Sequence, residues 1–302
     1  MTVNASQGTF IHKIRWRRIL VDFLFVFPAL IIFALFFAYP VISSFYISLT
    51  KWNGLSPDLK FIGLDNFNKI WGDKYFWQAL RNTFKYAFFA TTIQNILAML
   101  LALAVTKPFY RPFRVLFLIP PLLSSIALGN IWKYMYAPNG AINTIFAIVG
   151  LESLTQSWLG NPDLALYSLI AVTIWRWTGL SMIIYLAGLQ SIPDVIQEAA
   201  SIDGVSAWQR FWNITFPLIA PAFTINIVLS MIGSLKEFDL IYIMTQGGPG
   251  KATESITTYI FGQAFDTNRF GYGTAIAIVM FAIILILSLI QMHFLTRREV
   301  QR

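Results

Sequence analysis

Ser230, Ser234 and Glu237 stand at i, i+4 and i+7 in an otherwise apolar stretch, so a helix through them carries two hydroxyls and a carboxylate on one stripe. Such a stripe can donate and accept hydrogen bonds, and with aromatic rings nearby it suits a ligand rich in hydroxyl groups. Packing is the competing role, because Ser often lets one membrane helix approach another, and Glu237 could pair with Lys236 or Arg176. Other polar residues within apolar stretches join the candidates: Thr91, Thr92, Gln94 and Asn95, then Ser124, Ser125 and Asn130, then Arg176, Thr178 and Ser181, then Asn226, Lys236 and Asp239. Polar groups are costly in hydrocarbon, so they mark either a pathway or a contact. Ser125 is assigned to the pathway. Gly179, in Trp177-Thr178-Gly179, is assigned there too, although its missing Cβ equally suits a neighbouring helix.

A second constellation is Glu198-Ala199-Ala200-Ser201-Ile202-Asp203-Gly204, inside a longer segment running from Ser191 to Pro217. Its punctuation predicts two short helices. Pro193 suits a first helical turn, where its missing N–H goes unused, and Gly204 ends that helix in a left-handed conformation. Ser206 caps the second helix, and Ile214 and Pro217 close it. On the first helix Val195, Ala199 and Ile202 share a face while Glu198 and Asp203 point elsewhere. Small Ala199 and Ala200 would admit another backbone, so the pair is built to fit a groove on another protein. A helical hairpin lying at the headgroups, with Trp208, Phe211, Trp212 and Phe216 in the interface, is the plainer alternative.

Much other chemistry is excluded. There are no cysteines, hence no disulfide, thiolate metal site or cysteine nucleophile. The two histidines, His12 and His293, lie far apart near predicted membrane boundaries, and neither a metal site nor a catalytic residue is expected. The run Gly247-Gly248-Pro249-Gly250-Lys251-Ala252-Thr253 resembles a phosphate-binding loop only superficially. Thr245 occupies the place of the leading glycine, and Ala252 replaces the hydroxyl that would hold magnesium.

These residues are positioned by membrane helices. Of 302 residues, 57% are hydrophobic and 12% charged, against about 25% charged in soluble domains. Six apolar stretches reach the length needed to cross hydrocarbon, at about 20–40, 80–105, 114–136, 164–189, 218–244 and 273–295. The first is too long for a signal peptide and lacks a small-residue cleavage site, so it is retained as an anchor. Ten Trp suit two membrane–water boundaries, and the net charge of +8 is read as orientation and lipid contact rather than nucleic-acid binding. Lys13, Arg15, Arg17 and Arg18 precede the first span, Lys107, Arg111 and Arg114 fill the second connection, and Arg297, Arg298 and Arg302 end the chain. By the positive-inside rule those places face the cytoplasm. The chain is therefore expected to be all-α and multi-pass. It divides into a cytoplasmic segment 1–19, a six-helix domain 20–296 and a cytoplasmic tail 297–302, with loop 190–217 also cytoplasmic. The longer connections 41–79, 137–163 and 245–272 lie outside.

The pattern Glu-Ala-Ala-x-x-Asp-Gly at 198–204, followed by Phe211, Ile214, Pro217 and Pro221, resembles the coupling loop of permease subunits in binding-protein-dependent ABC importers. Trp52-Asn53-Gly54-Leu55, Phe61-Ile62-Gly63-Leu64-Asp65-Asn66-Phe67, Thr245-Gln246-Gly247-Gly248-Pro249-Gly250 and Tyr259-Ile260-Phe261-Gly262-Gln263-Ala264-Phe265 are similar to the sugar-uptake branch, the maltose and glycerol-phosphate permeases. The resemblance implies a type I importer permease in a bacterial or archaeal cytoplasmic membrane. It implies a second, different permease chain, two ATP-binding subunits that hold the ATP and magnesium, an extracytoplasmic solute-binding protein and a carbohydrate solute. It assigns coupling to Glu198, Ala199, Ala200, Asp203, Gly204, Arg210 and Pro217, and lets the 245–250 turn touch the binding protein. No cofactor falls to this chain. Glycerol phosphate or another small polar solute is the alternative cargo. A secondary transporter or channel would share the hydropathy without needing this loop, and no residues with catalytic spacing support a membrane enzyme.

Overall fold

The computed structural model describes residues 21–106 and 111–297. The segment 1–19 with His12, Lys13, Arg15, Arg17 and Arg18, together with Lys107, Arg298 and Arg302, lies outside the described residues. Helix α1 spans Val21–Ser48, with a π-helical turn at Ala34–Ala38. Two strands follow, β1 at Thr50–Lys51 and β2 at Lys60–Phe61, paired antiparallel with Thr50 opposite Phe61. This small ribbon adds strand to a chain expected to be wholly helical. Buried Asn66 holds it, donating to the carbonyls of Ser48 and Thr50 at 2.8 and 2.9 Å.

Next come α2 (Asp65–Gly72), α3 (Lys74–Ala104), α4 (Arg111–Leu122), α5 (Ser125–Met135), α6 (Ala141–Ile148) and α7 (Pro162–Gln190). The chain finishes with α8 (Asp194–Ile202), α9 (Ala207–Leu218), α10 (Ala220–Leu235), α11 (Asp239–Thr245), α12 (Ile256–Phe261) and α13 (Phe270–Thr296). Among the described residues four helices, α1, α3, α7 and α13, are long and apolar enough to cross a membrane alone. Two bent pairs qualify if each counts as one span: α4 with α5, bent by 100°, and α9 with α10, bent by 73°. That reaches the expected six and corrects two of them. The stretch 114–136 is not one helix: Pro120 and Pro121 supply no N–H to the last turn of α4, which ends at Leu122, and Ser124 then caps α5 through the Ala127 amide. The stretch 218–244 breaks at Ile219, between Pro217 and Pro221, and again after Leu235, so α11 is separate.

Helix α3 packs along α7. The buried face of α3 carries Ala79, Thr83, Ala87, Ala90, Ala98 and Ala102 at helical spacing, small enough for close approach. Between helices in lipid the hydrophobic effect offers no net attraction, so polar cross-links matter. Tyr86 hydrogen-bonds Thr173, Gln94 donates to the Ser181 hydroxyl at 2.7 Å, and Tyr185 donates to Asn95 at 2.6 Å. Each contributes about 0.6 kcal/mol. Arg114 closes the second connection, donating to the carbonyls of Val105 and Thr106 at the end of α3. By contrast α1 buries nothing along its most apolar window, and Phe25, Phe36 and Leu24 point outward as a hydrocarbon-facing surface would.

Candidate functional site

A cavity of about 310 Å³ opens between α3, α7 and α10. Gln94 enters it from α3, Thr173, Trp177 and Ser181 from α7, and Asn226, Ser230 and Ser234 from α10. Glu237 also lines it, just past the α10 terminus at Leu235, so the stripe survives although the helix carrying it ends. The polar groups are already linked: Gln94 donates to Ser181 at 2.7 Å and to Ser230 at 3.3 Å, and Asn226 donates to the Ser181 carbonyl at 3.1 Å. One carboxylate oxygen of Glu237 accepts the Leu240 amide at 3.1 Å, opening α11. Glu237 has no ion partner: among the described residues the one salt bridge joins Lys251 and Glu254, so neither Lys236 nor Arg176 pairs with it. The walls therefore offer hydroxyls, amides, one indole and one carboxylate beside aliphatic Leu180, Ile184 and Leu229, a set that binds by hydrogen bonding and apolar or ring contact.

Ser125 and Gly179 do not line this cavity. Ser125 accepts from the Arg176 guanidinium at 3.1 Å, and a second guanidinium nitrogen donates to the Leu123 carbonyl at 3.3 Å. Arg176 thus satisfies backbone freed at the α4–α5 break, which hydrocarbon would otherwise leave unpaired. Gly179 faces the same element: a Cβ there would stand 1.8 Å from the Phe117 carbonyl oxygen. Of the two roles open to it, the structure puts a neighbouring helix against it. Ser124 is a helix cap, and Asn130 bonds back to Ile126 within α5. Thr173 was not among the sequence candidates. Its spacing of four and eight residues from Trp177 and Ser181 marks the same α7 face, and that periodicity was the available signal.

At the other end of α9–α10 lies the two-helix loop. Pro193 precedes α8 as its cap residue rather than entering the first turn. Gly204 has φ +67°, as expected, and Ser206 forms a capping box with Gln209. Val195 and Ile202 are 73% and 85% exposed, and Glu198, Ala199, Asp203 and Gly204 are exposed beside them. Ala200 departs from the reading that it would meet another backbone, being only 3% exposed on the inner face of α8. Arg210 lines a larger groove of about 1070 Å³ with Trp208 and Trp212, and Pro217 lies half-buried next to the bend at Ile219.

The turn at 245–251 is clamped to the start of α3. The Lys251 carbonyl accepts from Gln78 and Asn82, both at 3.2 Å, and its ammonium meets Glu254 at 3.1 Å and the Tyr75 ring at 4.0 Å. Beneath it Tyr259 and Tyr272 donate to one oxygen of Asp73 at 2.5 and 2.6 Å, while the other accepts the Tyr75 and Phe76 amides. Burial would raise the Asp73 carboxyl, but these hydrogen bonds outweigh it and hold the group below its ordinary value. Burial pushes Glu254 the other way, upward, with Lys251 offsetting part of the shift.

The model of binding-protein-dependent transport system inner membrane components matches residues 14–300. The chain belongs to this family. Among such transport components it is 37% identical to the probable starch degradation products permease AmyD of Thermoanaerobacterium thermosulfurigenes, over 92% of this chain and 94% of the relative. It is 35% identical to the probable ABC transporter permease YurN of Bacillus subtilis, covering 91% and 96%. The lactose permease LacF of Rhizobium radiobacter is 34% identical, covering 91% and 94%. The fold matches a solved bacterial ABC transporter involved in import of the acidic polysaccharide alginate, with a TM-score of 0.81 at 24% identity over 93% of this chain and 98% of the other. That likeness speaks for the type I importer fold. In this transport component one broken element, α9–α10, carries the exposed loop at one end and the cavity residues at the other.

Proposed function

We propose that this chain forms half of the translocation pathway of a carbohydrate importer, and that its α8–α9 loop takes up the stroke of a separate ATPase. The observation that carries the proposal is the cavity itself: inside a member of this permease family, hydroxyls, amides and an indole converge where three membrane helices meet. Relatives named for starch products, lactose and trehalose/maltose support a sugar as cargo. On this reading Ser230, Ser234 and Glu237 bind solute, with Gln94, Thr173, Trp177, Ser181 and Asn226 around them. Gly179 and Ser125 act indirectly, by seating α4 and α5 against α7.

The socket is Glu198, Ala199, Asp203 and Gly204, with Val195 and Ile202 as apolar contacts, Ala200 as backing and Arg210 and Pro217 at the root. Exposure of two branched apolar side chains beside carboxylates supports a protein partner. A second, different permease completes the pore, two ATP-binding subunits hold ATP and magnesium, and an extracytoplasmic binding protein delivers the solute. The bilayer holds the chain with both ends and the loop in the cytoplasm, so the 245–251 turn meets the binding protein outside. ATP-driven closure of the nucleotide-binding subunits moves the loop, the α9–α10 bend passes the motion on, and the cavity alternates its access.

Proteoliposomes containing both permeases, with and without the ATPase subunits, provide the test. Uptake of the solute should require ATP and the ATPase. Uptake that persists without the ATPase defeats the coupling claim.

A further inference from the structure

Among the described residues, the cavity between α3, α7 and α10 is lined by one formal charge, and it is negative. Its position is specific. Glu237 uses one oxygen to accept the Leu240 amide, and its other oxygen makes no hydrogen bond among the described residues. Among the described residues neither neighbouring base forms an ion pair with it, although the Arg176 charge acts on it through space. Arg176, adjacent in sequence to cavity-lining Trp177, donates to Ser125 and Leu123 at the α4–α5 break and lies 4.9 Å from the Trp177 ring centroid. Lys236 is exposed at the end of α10 and does not line the cavity. The remaining walls are uncharged: apolar Leu180, Ile184 and Leu229 beside neutral donors and acceptors, with Gln94 and Asn226 each bound to Ser181.

We infer that Glu237 is a charge filter: the cavity accepts neutral sugars, favours sugars bearing a protonated amine, and rejects uronates and sugar phosphates. The inference rests on reading the cavity as the solute site. A carboxylate on the solute would enter a poorly hydrated space against Glu237 with no guanidinium or ammonium on the wall to receive it, whereas an ammonium would find the free oxygen. Neutral hydroxyls use Ser230, Ser234 and the amides. Selection of this kind belongs to the permease and acts after whatever the binding protein selects.

The test uses the complete importer, both permeases with the ATPases, held in lipid nanodiscs without binding protein. Three radiolabelled trisaccharides are bound at equilibrium at neutral pH, where the glucosamine trimer still carries positive charge: maltotriose, the glucosamine trimer and the galacturonate trimer. In the wild type the galacturonate trimer should bind at least about tenfold more weakly than maltotriose, and the glucosamine trimer more tightly. Glu237→Gln retains an oxygen for the Leu240 amide, and should bring the three affinities to within about threefold of one another. Glu237→Lys should reverse the charged pair. The ranking is the readout, with the melting temperature of each variant checking the fold. An identical ranking in wild type and both variants overturns the filter. Ser230→Ala separates the two ideas: if it weakens maltotriose while the Glu237 variants leave the ranking intact, the solute site stands and the filter falls. If Ser230→Ala and Ser234→Leu both leave maltotriose binding untouched, or no trimer binds, the cavity is not the sugar site and both fall.

Discussion

Arg176 and Gly179 look like pathway residues until their neighbours are known. A guanidinium inside a membrane helix is usually read as a solute contact, yet here it completes the hydrogen bonding of a broken helix, and Gly179, three residues on, lets that helix close in. The glycine role gives a definite expectation. Gly179→Ala places a methyl 1.8 Å from the Phe117 carbonyl oxygen, so α4 must move away from α7. Overpacking of this kind costs about 1–3 kcal/mol, and the melting temperature of the purified importer should fall accordingly. A variant as stable as the wild type would mean that α4 is not seated where Gly179 requires. Glu237 illustrates the converse case: it lines the cavity and has no ion partner among the described residues, so pairing with Lys236 or Arg176 does not account for it and the ligand role stays a proposal.

Between elements, the tie holding the 245–251 turn, α12 and α13 to the start of α3 centres on Asp73. Its carboxylate receives two phenol hydroxyls and two amides, and Gln78 and Asn82 one and two helical turns along α3 take the Lys251 carbonyl. The sign of its pH dependence follows from the lowered pKa. A carboxyl held below its unfolded value near 3.8 contributes stability that is complete above that value and is lost as the pH falls through the lower folded one. Asp73→Asn should therefore lower the melting temperature at neutral pH. The gap from wild type should persist into mildly acidic solution and close only below the ordinary carboxylate range. A gap that closes as soon as the solution turns mildly acidic would assign the effect to another group, with Glu254, whose pKa is raised, the first to examine.

Across the whole molecule the α9–α10 element connects an exposed loop to an internal cavity, and Gly204 sets the angle at which that loop is presented. Its φ of +67° strains any residue with a Cβ, although the space around it is open. Gly204→Val should thus cost about 1–3 kcal/mol of local strain, relieved by reorienting α8 against α9. The expected phenotype is a loss of about tenfold or more in uptake and in solute-stimulated ATP hydrolysis, with the binding protein's own affinity for solute unchanged. Normal values of both activities would overturn the proposed coupling role of Gly204.

Much of this architecture is already dictated by composition and local chemistry. Apolar length, set by hydrocarbon thickness, accounts for six spans, and the loop's two helices follow from Gly204 and Ser206, whose preferences act within a few residues. The break after Leu122 is equally local, and Pro120 and Pro121 just before it, with their missing amides, are its signal in the sequence. What required the fold was the assignment of polar groups to pathway or contact. Ser125 and Ser230 are the same residue type in similar apolar surroundings, yet one faces a guanidinium across a helix break and the other faces a cavity. That difference depends on which helices meet and at what angle, and no periodicity along one helix contains the position of its neighbour. Ala200 turned inward and Ala199 outward for the same reason: helical spacing determines that adjacent residues diverge, while packing decides which of them is buried.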